Sequence, residues 1–374
     1  MRARVLIARS RLAFRHGDWV AGAAAARESV AVARDVADEV TTATALQHLG
    51  LMTIESDEPE QAERRLEESR ELALAAGSRP LLVCALHSLA YAADCRGDWE
   101  RGQALLERCL ELLGDLAADA SLALPLAFGI VVAAEGPAGT PRVLVERSLM
   151  QVQQLGVPQA VAHVRASLGV VHRNAGRSDA ARTALEQGLA ELRALGDAAG
   201  QAAILGHLGG LLRLLGDHDG ARRRLEESLA LHERLAYGRG IGFDLGNLAL
   251  VAARAGDFDR ARTLLDRAHR RFAATDDSPG LALMLSYRGY VAIDEGRADE
   301  ARELLEPVSA MWDELRYRRL AAWIDVSLAV LAEQRGDGRR AQARRERAGA
   351  IFQALGNERA TAWCARSGDA SAPA

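Results

Sequence analysis

Residues 197 to 236 read DAAGQAAILGHLGGLLRLLGDHDGARRRLEESLALHERLA, and they contain the unit on which the chain is built. Its first half carries leucines at helical spacing, at Leu205, Leu208, Leu211, Leu212 and Leu215. Gly216 and Asp217 interrupt this run, and a second run of the same period follows, with Ala221, Leu225 and Leu229. Apolar residues three and four apart predict an amphipathic helix, and Gly-Asp predicts a turn. The stretch therefore predicts one helical hairpin.

The same hairpin recurs along the chain with a period of about 40 residues. Asp57 occupies the turn position of the second unit, and glycine occupies it in the others: Gly17, Gly97, Gly136, Gly176, Gly216, Gly256, Gly296 and Gly336. The spacing is one residue shorter between Gly97 and Gly136. Such a period is typical of helical solenoids, in which each unit packs only on its neighbours. We therefore expect an all-α solenoid of about nine hairpins.

Three further positions keep the register of the turn. Eight residues before it stands leucine followed by Gly or Ala, at Leu49, Leu89, Leu168, Leu208, Leu248 and Leu328. Nine residues after it stands the leucine expected to be the apolar contact of the second helix, at Leu66, Leu106, Leu185, Leu225, Leu265 and Leu305. Small residues beside the leucines let two helices approach closely. Second helices are expected to end at C-cap glycines, at Gly77, Gly156, Gly196 and Gly356.

These residues carry a family resemblance. L-G or L-A, then G-D or G-R, then A-x-x-x-L-E resembles the tetratricopeptide repeat (TPR), in a 40-residue form. The phrase LEQGLAELRALGDAAGQAAILGHLGGLLRLLGD is similar to the C-terminal repeat arms of actinobacterial signal-transduction ATPases and of LuxR-type or maltose-regulator-like transcription factors. The resemblance implies a right-handed α-α superhelix, a TPR solenoid whose first helices line a concave surface.

Departures from the repeat divide the chain into segments. Residues 1–114 are predicted to form the N-terminal hairpins, and residues 157–366 the C-terminal hairpins with a capping helix. Between them, residues 115–156 hold a degenerate repeat whose prolines and glycines predict a hinge. Residues 367–374 are predicted to be a disordered tail. The first unit lacks a polar cap, so we expect the intact protein to begin further upstream.

Composition narrows the function. All 47 basic residues are arginine, so lysine-dependent chemistry is excluded, and the net charge of −4 argues against direct nucleic-acid binding. No pattern indicates a metal or other cofactor, a signal peptide or a membrane span, so we expect a soluble cytoplasmic protein. Two minor alternatives are an enzyme built around Cys84, His87 and Cys95, and phosphate contact by a C-terminal basic cluster, Arg339, Arg340, Arg344, Arg345 and Arg347.

The TPR resemblance implies which residues line the concave groove. Carried over position by position, the first helices contribute Tyr91, Asp94, His163, Arg173, Asn174, Arg213, Phe243, Arg254, Tyr290, Asp294 and Trp323, with Glu333 and Gln334 at the far end. Arg173, Arg213 and Arg254 would form a cationic stripe through the middle of the groove. Asp94 and Asp294 would flank this stripe. Such a groove suits a peptide with a central acidic group, held by charge-assisted hydrogen bonds and aromatic anchors.

The sequence therefore predicts a non-catalytic scaffold that binds a protein or peptide partner, in bacterial signalling or transcriptional regulation. The alternative is a sensing arm that binds a small-molecule effector within a larger ATPase-type regulator. Packing dictates the repeated positions, whereas specificity lies in the variable groove positions, so the pattern does not identify the ligand.

Overall fold

The described part of the computed structural model covers most of the chain. It comprises residues 1–15, 19–54, 59–95, 98–114, 142–154, 156–274, 277–314, 317–354 and 356–366. Eighteen α-helices and no β-strand occur in these ranges. The predicted all-α class is confirmed. Most of the proposed hinge, residues 115–141, and the proposed tail, residues 367–374, lie outside the described residues.

The helices form consecutive antiparallel pairs. Six lie in the N-terminal part: α1 (Arg2–Arg15), α2 (Trp19–Asp35), α3 (Glu39–Thr53), α4 (Pro59–Ala75), α5 (Arg79–Cys95) and α6 (Trp99–Gly114). Twelve follow: α7 (Arg142–Gln154), α8 (Pro158–Asn174), α9 (Ser178–Ala194), α10 (Ala198–Leu214), α11 (His218–Arg234), α12 (Gly238–Arg254), α13 (Phe258–Ala273), α14 (Ser278–Asp294), α15 (Ala298–Glu314), α16 (Arg318–Gln334), α17 (Gly338–Ala354) and α18 (Glu358–Cys364).

Caps and turns place the helix ends where the repeat predicts them. Asp197 caps α10 by accepting a hydrogen bond from Gly200 N at 2.8 Å. Asp217 caps α11 in the same way, by accepting a hydrogen bond from Gly220 N at 2.8 Å. The turn between them needs a left-handed residue, and Gly216 supplies it with φ of +82°. The turns after the second helices also require positive φ, and the predicted C-cap glycines adopt it. Local sequence thus defines each hairpin.

Within a hairpin, the repeated leucine packs on the repeated glycine. In the pair α10 and α11, a Cβ atom added to Gly209 would lie 2.5 Å from Cγ of Leu225, so the Leu225 side chain occupies the space of the missing side chain. Leu225 is fully buried. The same contact joins Gly169 to Leu185 and Gly289 to Leu305. The two helices can approach this closely only because one of them carries glycine there.

Candidate functional site

The first helices of the hairpins line the inner side of the solenoid. First helices of successive hairpins pack directly on one another, α8 on α10, α10 on α12 and α12 on α14. Ion pairs between long side chains bridge the second helices of neighbouring hairpins, such as Arg193 with Glu227 and Arg260 with Glu226. Elements on the inside of a curved array lie closer together than those outside. The face formed by the first helices is therefore the concave groove.

The inner face of α10 is lined by small residues and two basic ones. Gly206, His207, Gly210 and Arg213 are partly exposed there, while the leucines of the opposite side are buried. A Cβ atom added to Gly210 would meet nothing closer than Asn247 Oδ1 at 3.8 Å, so the space beside this glycine is open. The middle of the groove thus combines open space with basic groups.

The structure distinguishes the three arginines of the expected stripe by their partners. Arg173 lies 3.3 Å from Nδ1 of His207, and Arg254 Nε lies 3.3 Å from Oδ2 of Asp294. Arg213 has no hydrogen-bond or ion-pair partner within the described ranges, and its Nε atom is buried. A buried donor without a partner is costly. Among these three, Arg213 is the one whose whole guanidinium lacks a partner in the described residues, so it has the most donors left for a ligand.

Asp294 and Tyr290 lie on α14 within the electrostatic range of Arg213. Burial raises the pKa of Asp294, while the charges of Arg254, Arg213 and His218 oppose that rise. Burial also raises the pKa of Tyr290, and the charge of Arg213 opposes this rise as well. His218 leaves Nδ1 buried without a partner in the described part of the chain. Two arginines and a histidine thus surround one acid, which leaves basic groups in excess in this part of the groove.

His163 has a structural role. Its Nε2 lies 2.9 Å from Oδ2 of Asp197, and Gln159 Nε2 donates to the same oxygen at 2.5 Å. Asp197 is 8% exposed and caps α10. Burial acts to raise the pKa of Asp197, but hydrogen bonds from His163, Gly200 and Gln159 and the charge of His163 outweigh it and lower the pKa to about 2. His163 therefore ties α8 to the start of α10.

This lowered pKa predicts an acid-dependent loss of stability. A carboxyl whose pKa is lower in the folded state stabilises the fold above its ordinary pKa of 3.8, and that stabilisation is lost as the pH falls toward 2. Between pH 6 and pH 3, the wild type should lose about 1 kcal/mol more unfolding free energy than Asp197→Asn, which keeps a cap but no charge. Urea unfolding at both pH values measures it. Asp217→Asn, at an exposed cap, is the control, and equal losses in all three proteins would contradict the prediction.

The expected aromatic anchors are partly engaged in the core. The Phe243 ring packs edge-on against Phe272 at 5.2 Å between centroids, and the Trp323 ring lies 4.9 Å from Phe352. Tyr91 packs beside the buried cluster around Leu66. Phe243, Trp323 and Tyr91 all remain partly exposed. Only part of each of these three side chains is exposed to a ligand.

Other residues singled out by the sequence have different surroundings. The side chains of Asp94 and Cys95 lie outside the described residues. His87 is buried, and desolvation lowers its pKa to about 4. Cys84 is half-buried. Because the side chain of Cys95 is not among those described, the geometry of the alternative enzyme site stays a prediction.

The C-terminal basic cluster is largely neutralised by acids. Asp325 is fully buried and binds Arg344 at 2.5 Å and Arg347 at 3.3 Å. Arg345 is also buried and pairs with Glu333 at 2.7 Å. Paired guanidinium groups have few donors left for phosphate. The structure therefore does not support phosphate contact by this cluster. Glu333, which was expected in the groove, forms an ion pair with Arg345.

Two features had no signal in the sequence. Ser228 Oγ and His232 Nδ1 lie 2.8 and 2.7 Å from the same oxygen of Asp244, in a buried polar cluster between α11 and α12. Asn357 Nδ2 donates at 3.3 Å to the carbonyl of Asn174, which the sequence had placed in the groove. Asp244 stands where the other units carry an apolar residue, and Asn357 lies 183 residues from Asn174, so periodicity could not reveal either contact.

Two other kinds of site are absent from the described residues. No helix there combines the length and apolar character needed to cross a bilayer, and no three His, Cys, Asp or Glu side chains converge as metal ligands. A surface depression lies on α4, lined by Glu60, Glu63, Arg64, Glu67, Glu68 and Glu71. Because α4 is a second helix, this depression lies away from the groove.

Paired helices stacked around a concave face that carries variable polar side chains define a helical-repeat scaffold. Comparison with known families agrees: the tetratricopeptide repeat matches residues 146–234 and 244–314, somewhat less than half of the chain. The fold is a TPR-like solenoid along the described residues, as predicted. No curated protein sequence matches the chain.

Solved structures with the same fold span nearly the whole chain. A Rap protein complexed with competence and sporulation factor superposes with a TM-score of 0.69 at 14% identity, covering 94% of this chain and 98% of that one. Apo NprR from B. thuringiensis gives 0.57 at 12%, covering 91% and 99%. The Rap conjugation gene regulator of plasmid pLS20, in complex with the Phr* peptide, gives 0.56 at 14%, covering 93% and 99%. Identities this low establish the shared fold alone.

Proposed function

We propose that the chain is a non-catalytic TPR scaffold that binds a protein or peptide partner in its concave groove. Its setting is bacterial signalling or transcriptional regulation, which the resemblance to regulator arms supports. The fold is shared with a Rap regulator solved in complex with the Phr* peptide. The partner presents an acidic group to the middle of the groove, where basic residues are in excess.

The observation that carries this proposal is the unpartnered guanidinium of Arg213. Arg173 and Arg254 already contact His207 and Asp294, whereas Arg213 has no partner in the described part of the groove. An acidic side chain would satisfy its donors through charge-assisted hydrogen bonds. The open space beside Gly210, one helical turn earlier, leaves room for the ligand backbone.

The test is a selection from synthetic linear decapeptides with one Asp or Glu near the centre, followed by fluorescence anisotropy on the selected peptide. Arg213→Glu should weaken its binding about 20-fold or more, because charge reversal replaces an attraction by a repulsion. Arg173→Glu and Arg254→Glu should weaken it less, since those arginines already have partners.

The matched control is Arg223→Glu, the same charge change at an exposed position of the second helix α11. It should leave the affinity within about twofold, because charges on the outer face are screened. If no peptide is selected, the proposal fails. If Arg213→Glu and Arg223→Glu bind the selected peptide equally, Arg213 is not its anchor. Saturable binding of a metabolite instead would favour the small-molecule alternative.

A further inference from the structure

The last helix returns to the middle of the chain. Asn357 caps α18 by accepting a hydrogen bond through Oδ1 from Ala360 N at 3.0 Å. Its Nδ2 donates to the carbonyl of Asn174, at the end of α8, across 183 residues of sequence. Asn357 is only 6% exposed. One buried asparagine therefore serves a local cap and a distant hairpin at the same time.

Gly176, two residues after Asn174, shows that Asn357 approaches the end of α8 closely. A Cβ atom added to Gly176 would lie 3.0 Å from Oδ1 of Asn357. The equivalent turn glycines, Gly216, Gly256 and Gly296, would meet nothing within 4 Å. These turns share the same positive φ, so the local backbone does not distinguish them. The difference is the contact with Asn357.

The contact joins opposite edges of the solenoid. Turns that follow a first helix lie along one edge, and turns that follow a second helix lie along the other, because successive helices are antiparallel. Gly176 follows the first helix α8, whereas Asn357 follows the second helix α17. Two opposite edges can touch only if the helices between them make one complete turn of the superhelix. This turn consists of ten helices, α8 to α17.

Most of the candidate binding residues lie inside this turn. Arg213 lies on α10, Arg254 on α12, and Tyr290 and Asp294 on α14, all between the two ends that meet. A groove that is closed where its ends meet admits a ligand to these residues only along the superhelix axis.

We propose that Asn174, Gly176 and Asn357 form a clasp that closes the concave groove into a channel, so that the partner it admits is a linear chain with a free end. A loop or helix held at both ends within a folded protein is excluded while the clasp is closed. This inference rests on the proposed function, since it concerns entry to the same groove.

The variant Asn357→Asp isolates the clasp. Aspartate caps a helix as well as asparagine does, so α18 keeps its N-terminal hydrogen bond. It lacks the Nδ2 donor, and its carboxylate faces the carbonyl of Asn174 instead. Small-angle X-ray scattering should show a larger radius of gyration for Asn357→Asp than for the wild type. Asp217→Asn, the reverse exchange at the cap of α11, should leave it unchanged.

The binding experiment uses the selected linear acidic peptide in two presentations on one small folded carrier. It is either appended at the carrier's C-terminus with a free end or inserted between two strands as a loop. The wild type should bind the free-ended form about 100-fold more tightly, because a loop binds only the sparsely populated open state. In Asn357→Asp the ratio should fall below about tenfold.

Three results would overturn the clasp. Equal binding of the two presentations by the wild type would show that the groove is open laterally, yet loss of that binding in Arg213→Glu would leave the proposed function standing. An unchanged preference or unchanged scattering in Asn357→Asp would remove Asn357 from the closure. Absence of binding in both presentations would remove the proposed function and the clasp's role in entry together.

Discussion

Replacing Arg345 with alanine should lower the unfolding free energy of the C-terminal hairpin by about 3 to 5 kcal/mol. The side chain is 1% exposed, pairs with Glu333 at 2.7 Å and lies 4.5 Å below the Trp363 ring. It also donates to the carbonyl of Arg366. Its removal leaves a cavity, a partly buried carboxylate without its cation and a carbonyl without its donor.

The measurement is urea unfolding together with hydrogen exchange of α16 to α18. Arg345→Met keeps most of the buried volume, so it should lower the unfolding free energy less than Arg345→Ala does. The difference between the two variants separates the contribution of packing from that of charge. Arg339→Ala, an exposed position on the same helix, should change the unfolding free energy by no more than about 0.5 kcal/mol. Equal stability of Arg345→Ala and Arg339→Ala would contradict the buried role of Arg345. Because α18 carries Asn357, Arg345→Ala should also release the clasp.

Two adjacent glycines of α10 should respond to alanine with opposite signs. A Cβ atom at position 209 would lie 2.5 Å from Leu225 Cγ and 3.3 Å from the carbonyl of Ala221. Gly209→Ala should therefore separate α10 from α11 and cost about 2 kcal/mol. Gly210 faces the open groove, so Gly210→Ala should gain about 0.5 to 1 kcal/mol from the better helix propensity of alanine.

Thermal and urea unfolding of the two variants measure this difference. The substitution and the helix are the same, so propensity contributes equally, and packing alone reverses the sign. A double variant with Leu225→Ala should recover part of the loss at Gly209, because the two positions share one contact. Destabilisation of similar size at both glycines would mean that the Gly209 and Leu225 contact does not define the hairpin.

Much of the fold follows from the sequence because a solenoid is built from contacts between near neighbours. The contact of Leu225 with Gly209 joins residues of one hairpin, and three other described hairpins repeat it at the same offset, through Gly50 and Leu66, Gly169 and Leu185, and Gly289 and Leu305. Periodicity in the chain therefore maps directly onto packing. The C-cap glycines were predictable for the same reason, since positive φ is a local requirement.

The groove was predictable in outline only. Position in the repeat placed Arg173, Arg213 and Arg254 on the first helices, but their partners depend on which side chains the next hairpins present. Arg254 meets Asp294 from α14, and Arg213 meets no partner in the described residues. Likewise, no offset in the sequence indicated that Arg345 would be buried beneath Trp363. These contacts depend on individual residues that differ from one unit to the next, so the repeat pattern does not predict them.

The helical hairpins, their 40-residue period and the face that each helix buries follow from the sequence, because they depend on interactions within one unit and with the next. In contrast, the absence of a partner for Arg213 among the described residues and the contact of Asn357 with Asn174 emerge from the packing of the whole array. Closure depends on small rotations between hairpins that accumulate over ten helices. No local pattern encodes their sum.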